Sequence, residues 1–153
     1  MNRVALWYEG ARPKTLVSSI SPVLIGTAIA IGEGYFDIFI FLATLLFSLC
    51  IQIGTNFAND YFDFIKGADT HARKGPRRLV QSGLIDGKAM KRATHLTFVL
   101  AGLLALYMIY IGGVLVLIPL LFSILFGYLY TAGPFSLAYL GISDLFVLIF
   151  LAL

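Results

Sequence analysis

Apolar residues run along this chain in four long blocks, at 16–32, 38–58, 96–111 and 114–131, separated by short polar punctuation and, once, by a long charged stretch. A hydrocarbon core of about 30 Å takes roughly 20 apolar residues as a helix, so each block predicts a membrane-crossing helix. The first and third are somewhat short, and the Thr, Ser, Gly and aromatic residues beside them extend them into the interface. A fifth block opens near Leu145 and reaches Leu153, the last residue. That is less than half a span. The pattern therefore predicts an all-α membrane protein, a helical transmembrane bundle with four full spans and the start of a fifth. Residues 1–153 are expected to form the N-terminal part of a single, longer domain.

Composition agrees with this reading: 59% of the 153 residues are hydrophobic and 12% charged, against about 25% charged in soluble domains. A cleaved signal peptide does not fit, because further spanning blocks follow the first where a polar mature domain would stand. The single cysteine, Cys50, lies within the second block and can form no intrachain disulfide. It reads as a packing or lipid-facing residue. The net charge of +3 does not point to nucleic acid, since the cations cluster beside the membrane blocks. Eight of them, Lys66, Arg73, Lys74, Arg77, Arg78, Lys88, Lys91 and Arg92, occupy the stretch 66–92, and Arg3, Arg12 and Lys14 precede the first block. The connection between the first two blocks carries Glu33 and Asp37, and the one between the last two is Gly112-Gly113. By the positive-inside rule, the N-terminus and the 66–92 loop are expected on the cytoplasmic side.

The second block ends in NFANDYFDFIKGAD, residues 56–69. On a helix, positions four and seven apart share a face, so Gln52, Asn56, Asn59 or Asp60, and Asp63 make one polar stripe. Ile51, Ile53, Phe57, Tyr61, Phe62 and Phe64 fill the other faces. Gly67 permits a turn from which Asp69 can return toward Asp63. Carboxylates at a membrane edge are costly and point to function with a partner. Two partners are available: the neighbouring Lys and Arg side chains, giving an interfacial ion-pair network, or a divalent cation. Magnesium takes hard oxygen ligands and is commonly held by one or two carboxylates together with substrate phosphates. Such a site would promote loss of a diphosphate, with Mg2+ and Arg/Lys donors stabilising the leaving oxygen and aromatic rings stabilising a carbocation.

These residues resemble the UbiA-type intramembrane aromatic prenyltransferases. The family's first acidic motif is Asn-Asp-x-x-Asp-x-x-x-Asp, and Asn59-Asp60-Tyr61-Phe62-Asp63 supplies its first part. The sequence departs from the motif in having Gly67 four residues after Asp63, with the last aspartate six residues after it, at Asp69. That spacing is similar to the branch acting on 1,4-dihydroxy-2-naphthoate, as are RPKTL at 12–16, GPRRLVQSG at 75–83 and YTAGPFSLAYLGISD at 130–144. The resemblance implies transfer of a polyprenyl group from polyprenyl diphosphate to the naphthoate ring, giving demethylmenaquinone, in the bacterial inner membrane. It implies Asp63 and Asp69 as catalytic residues and Asn59, Asp60, Asp63 and Asp69 as magnesium residues. Arg12, Lys14, Asn56, Asn59, Lys66 and Arg77 are implied as diphosphate contacts, and Tyr130 and Asp144 as cavity residues. From its place at the edge of a membrane run after Gly141 and Ser143, Asp144 reads first as an N-cap of the fifth helix.

The family is built of about nine helices of bilayer-spanning length and carries a second acidic motif in its C-terminal half. This sequence lacks that motif, so the lone chain is expected to be inactive without a full-length form or a separate C-terminal half. Two alternatives stand: another aromatic acceptor, and a cation-coupled transporter. The transporter would need interrupted helices meeting at the midplane, whereas the acidic stripe lies at one edge. His71 reads as a solvated loop residue and His95 as interfacial, with no zinc-like spacing around either. Tyr61, Tyr128 and Tyr139 read as interfacial belt. Pro22 and Pro119 fall inside spans, and Gly26 with Ala30 suggests close helix packing.

Overall fold

The computed structural model describes residues 2–67 and 77–129, and every regular element among them is a helix. Five are present: α1 (Arg3–Ala11), α2 (Pro13–Gly32), α3 (Ile38–Ile65), α4 (Gly87–Gly112) and α5 (Val114–Leu129). α2, α3 and α4 are long and apolar enough to cross a membrane, and α5 is a shorter apolar helix. The four long blocks of the sequence thus correspond to α2 through α5, while the fifth block, Tyr130, Asp144 and Asp69 lie outside the described residues.

Chain chemistry sets the ends of these elements. Asn2 accepts a bond from the Val4 N–H and starts α1. Arg12 then adopts φ +53°, the left-handed region, which breaks the path, and Pro13 begins α2 at the position where a missing N–H does no harm. Asp37 caps α3 through the N–H groups of Phe39 at 2.7 Å and Ile40 at 3.0 Å. Asp86 does the same for α4 through Lys88 and Ala89. Within α2, the hydroxyls of Ser18, Ser19, Ser21 and Thr27 donate to carbonyls three or four residues back. No hydroxyl of that set is left to lipid.

Two helices outrun the apolar blocks that announced them. α3 has 28 residues, about 42 Å at 1.5 Å per residue, so the turns carrying Asn56 to Asp63 continue one unbroken helix beyond residue 58. α4 begins at Gly87, nine residues before its apolar block, because Met90 and Thr94 pack inward while Lys88, Lys91, Arg92 and His95 stay on the surface or near it.

Packing is concentrated in two cores. One, within the spans, joins Ala43 and Phe47 of α3 with Ala101, Ala105 and Met108 of α4 and Leu120 of α5. The other, at the basic end, joins Leu6 of α1, Phe57 of α3, Met90 of α4 and the loop residues Leu79, Val80 and Ile85, with Trp7 and Tyr61 against it. Trp7 and Phe57 meet edge to face at 5.5 Å. Small residues set the α3–α4 approach. A Cβ on Gly54 would stand 2.8 Å from Thr97 Oγ1 and 3.0 Å from the Phe98 ring, so Gly54→Val is expected to push the helices apart and cost about 1–3 kcal/mol, read as a lower unfolding midpoint in micelles. Gly26, by contrast, has open space where its Cβ would be. With Ala30 it lines an apolar groove of about 660 Å³ bounded by Tyr35, Phe36 and Ile40, so the close packing expected of this pair is not made among the described residues.

Candidate active site

The polar stripe of α3 faces the 77–86 loop and the α1–α2 junction, and each member has a distinct environment. Asn56 is buried, and its Nδ2 donates to the Ala11 carbonyl at 2.8 Å and to Thr15 Oγ1 at 3.0 Å. It pins α3 to the junction at Arg12. Asn59 Oδ1 is buried with no hydrogen-bond partner among the described residues. A buried amide oxygen in that condition is costly, and it is a hard donor of the kind magnesium takes.

Asp60 is 2% exposed. Its Oδ2 accepts the Leu79 N–H at 2.9 Å and its Oδ1 the Val80 N–H at 3.0 Å. The loop is shaped to supply these two donors. Residues 78–83 make a single helical turn closed by Gly83 at φ +68°, with the Gly83 N–H bonded to Val80 O and the Leu84 N–H to Leu79 O, both at 3.0 Å. Ser82 Oγ donates back to Arg78 O at 2.6 Å. The first N–H groups of that turn have no carbonyl of their own to meet, and Asp60 of α3 caps them from another element. Leu79, with no exposed surface, fixes the turn from its apolar side; the open position of Gly10, whose Cβ would stand 3.0 Å from Leu79 Cδ1, makes room for it.

One residue before the capped pair, Arg78 is buried and forms an ion pair with the buried carboxylate of Asp63. Its neighbour Arg77 points outward to Glu9 at 3.4 Å, with both side chains well exposed, a pair of small energetic weight. Lys14, in the first turn of α2, and Lys66, at the C-cap of α3, are exposed. Among the residues expected from sequence, Asp60 and Asp63 meet the 78–80 segment, Asn59 precedes Asp63 by one turn on the same helix, Asn56 lies beside the Arg12 junction, and Arg77, Lys14 and Lys66 are exposed. Among the described residues no three His, Cys, Asp or Glu side chains converge on one point.

An aromatic wall flanks the cluster. Tyr128 of α5 meets Phe62 of α3 at 5.9 Å, Phe98 of α4 at 5.6 Å and His95 at 6.2 Å, all edge to face. Tyr128 is thus a packed member of a three-helix contact. Arg78 is the functional candidate that spacing did not single out from its basic neighbours. The signal was the Leu79-Val80 pair that follows it, two apolar residues in a charged loop, which marks where the loop turns back into the protein.

Comparison with known proteins bears on this geometry. The UbiA prenyltransferase family profile matches residues 19–153. The 1,4-dihydroxy-2-naphthoate octaprenyltransferase of Escherichia coli is 37% identical, with 98% of this chain and 51% of that protein covered. The enzyme of the same name from Bacillus subtilis is 40% identical, covering 92% of the chain and 45% of the relative, and that from Mycobacterium tuberculosis is 33% identical, covering 98% and 51%. The chain spans about half the length of the curated relatives it matches. No solved structure matches it. With a family profile covering most of its length and relatives aligned over nearly all of it, the chain belongs to the UbiA prenyltransferase family.

Proposed function

We propose that this chain provides the N-terminal half of an enzyme that transfers a polyprenyl group from polyprenyl diphosphate to 1,4-dihydroxy-2-naphthoate, in menaquinone biosynthesis. The observation that carries the reading is the alignment of 98% of the chain with an enzyme of that name, and the buried Asp63–Arg78 pair, with the buried Asn59 Oδ1 on the preceding turn of the same helix, suits the chemistry. In the reaction the bond between the prenyl carbon and the diphosphate oxygen breaks, its electron pair leaving on the diphosphate. A ring carbon of the naphthoate supplies the pair for the new carbon–carbon bond, and that carbon then loses its own substituent, a proton or, at the carboxyl-bearing carbon, carbon dioxide, whose bonding pair returns to the ring.

Magnesium, when bound, would neutralise charge developing on the leaving oxygens. Asn59 Oδ1 and the Asp63 carboxylate would hold it, with Asp69 as a further donor. Arg12, Lys14, Lys66 and Arg77 are assigned to attract the anionic head of the substrate, while Asn56 holds the Arg12 junction against α3. The apolar helices accommodate the prenyl tail and keep water from the cationic carbon, beside the aromatic wall at Tyr128. Tyr130 and Asp144 are assigned to the acceptor cavity. The basic end is assigned to the cytoplasmic side of a bacterial inner membrane, on the distribution of Lys and Arg.

The test joins residues 1–153 to the complementary half of the Escherichia coli relative and measures prenylated naphthoate in membranes with Mg2+ or excess chelator. Chelation is expected to lower product at least roughly a hundredfold, reversibly. Turnover that survives chelation would remove the metal from the mechanism. Prenylation of other aromatic acceptors in preference to the naphthoate would overturn the acceptor assignment, and solute uptake by proteoliposomes without turnover would overturn the enzyme reading.

A further inference from the structure

The acidic motif places Asp60 beside Asn59 and one turn before Asp63, as though all three served the same ligand. Their surroundings separate them. Asp60 turns both oxygens to backbone N–H groups of the loop, whereas Asn59 keeps a buried oxygen that meets no donor among the described residues. We infer that Asp60 is a positioning residue: it caps the 78–83 turn from α3 and thereby fixes Arg78 against Asp63, acting on the reaction through the loop. This inference rests on the prenyl-transfer reading for what Arg78 and Asp63 are held ready to do, and on the geometry alone for how they are held.

Leu79 is locked in the apolar core with Leu6, Phe57 and Met90, which sets the depth of the loop, but an apolar contact does not set rotation about the backbone. Two hydrogen bonds from successive N–H groups to one carboxylate do, because they fix the direction of the turn's first peptides. The Arg78 Cα is therefore aimed by Asp60 through the backbone of the turn. Gly83 closes the other end of the turn in a backbone region that other residues rarely adopt. Asp60, Leu79 and Gly83 together leave Arg78 little freedom except toward Asp63.

The experiment compares hydrogen exchange and turnover. In the full chain in micelles, Asp60→Asn is expected to accelerate exchange in the 79–84 segment at least about tenfold, because the amide cannot accept both N–H groups. No substrate or metal is needed for this readout, so it stands or falls independently of the prenyl-transfer reading. In the joined, active protein, Asp60→Asn is expected to lower turnover about ten- to a hundredfold without changing the Mg2+ concentration that gives half activity. The double variant Asp60→Asn with Arg78→Gln is expected to lose no more than Arg78→Gln alone. Val80→Pro deletes one donor while leaving every charge in place, and should reproduce the turnover loss of Asp60→Asn. Full protection of 79–84 in Asp60→Asn, a tenfold shift in its Mg2+ requirement, losses that add with Arg78→Gln, or a harmless Val80→Pro would each overturn the inference.

Discussion

Asp63→Asn is expected to reduce prenyl transfer by the joined protein roughly a thousandfold, the loss that follows when several kcal/mol of charge stabilisation at the leaving oxygens disappears. The substitution preserves shape and one oxygen but removes the charge. A buried guanidinium, Arg78, would then face a neutral amide, so the variant is expected to lose stability as well as activity. Turnover alone therefore does not assign the role of Asp63. The assignment needs activity normalised to folded protein, measured beside the unfolding midpoint. Turnover unchanged in folded Asp63→Asn would remove this carboxylate from the reaction.

Arg78→Met carries the second large effect, and it is an effect on stability first. The ion pair is almost wholly out of water, and removing one member of such a pair costs about 3–5 kcal/mol because the other charge keeps its desolvation penalty. Methionine keeps the length of the side chain and its contact with apolar neighbours. Combining Arg78→Met with Asp63→Asn takes away both charges, and the double variant is expected to recover most of the lost stability. It should recover no turnover, and should fall below Arg78→Met alone. Denaturant unfolding in micelles and product formation in membranes provide the two readouts. If the double variant is no more stable than its parents, the pair is not the coupled unit that the geometry makes it.

The apolar blocks were legible because lipid enforces a simple rule, and α2 to α5 lie where those blocks stand. The stripe at Asn56, Asn59, Asp60 and Asp63 was legible too, since α3 continues without a break through all of them. α1 was not. Its nine residues mix charged, aromatic and small side chains, and what orders them is tertiary, Leu6 and Trp7 against the loop and Gly10 beneath Leu79. The first turns of α4 were hidden by Lys88, Lys91 and Arg92, although Asp86 ahead of them is a capping residue in a suitable place.

The division of labour within the stripe was beyond spacing. Asp60 and Asp63 are three residues apart and share a helix face, and which of them meets N–H groups depends on a loop that arrives from elsewhere in the chain. The same holds for Arg77 and Arg78, adjacent in sequence. One pairs with Glu9 at the surface and the other with Asp63 in the interior, a choice made by the burial of Leu79 just beyond them.

The length of α3 has a consequence for encounter. Its 28 residues span about 42 Å against a hydrocarbon thickness of about 30 Å, and Asp63 sits two residues from its end. With Ile38 placed at one edge of the hydrocarbon, the charged cluster comes level with the lipid phosphates at the other, and the apolar faces below it come level with the tails. On the proposed function, the prenyl diphosphate substrate rests at that same height when dissolved in the leaflet. It can arrive by lateral diffusion with head and tail already in register, so the search is confined to two dimensions and no charge has to be dragged through oil to begin it.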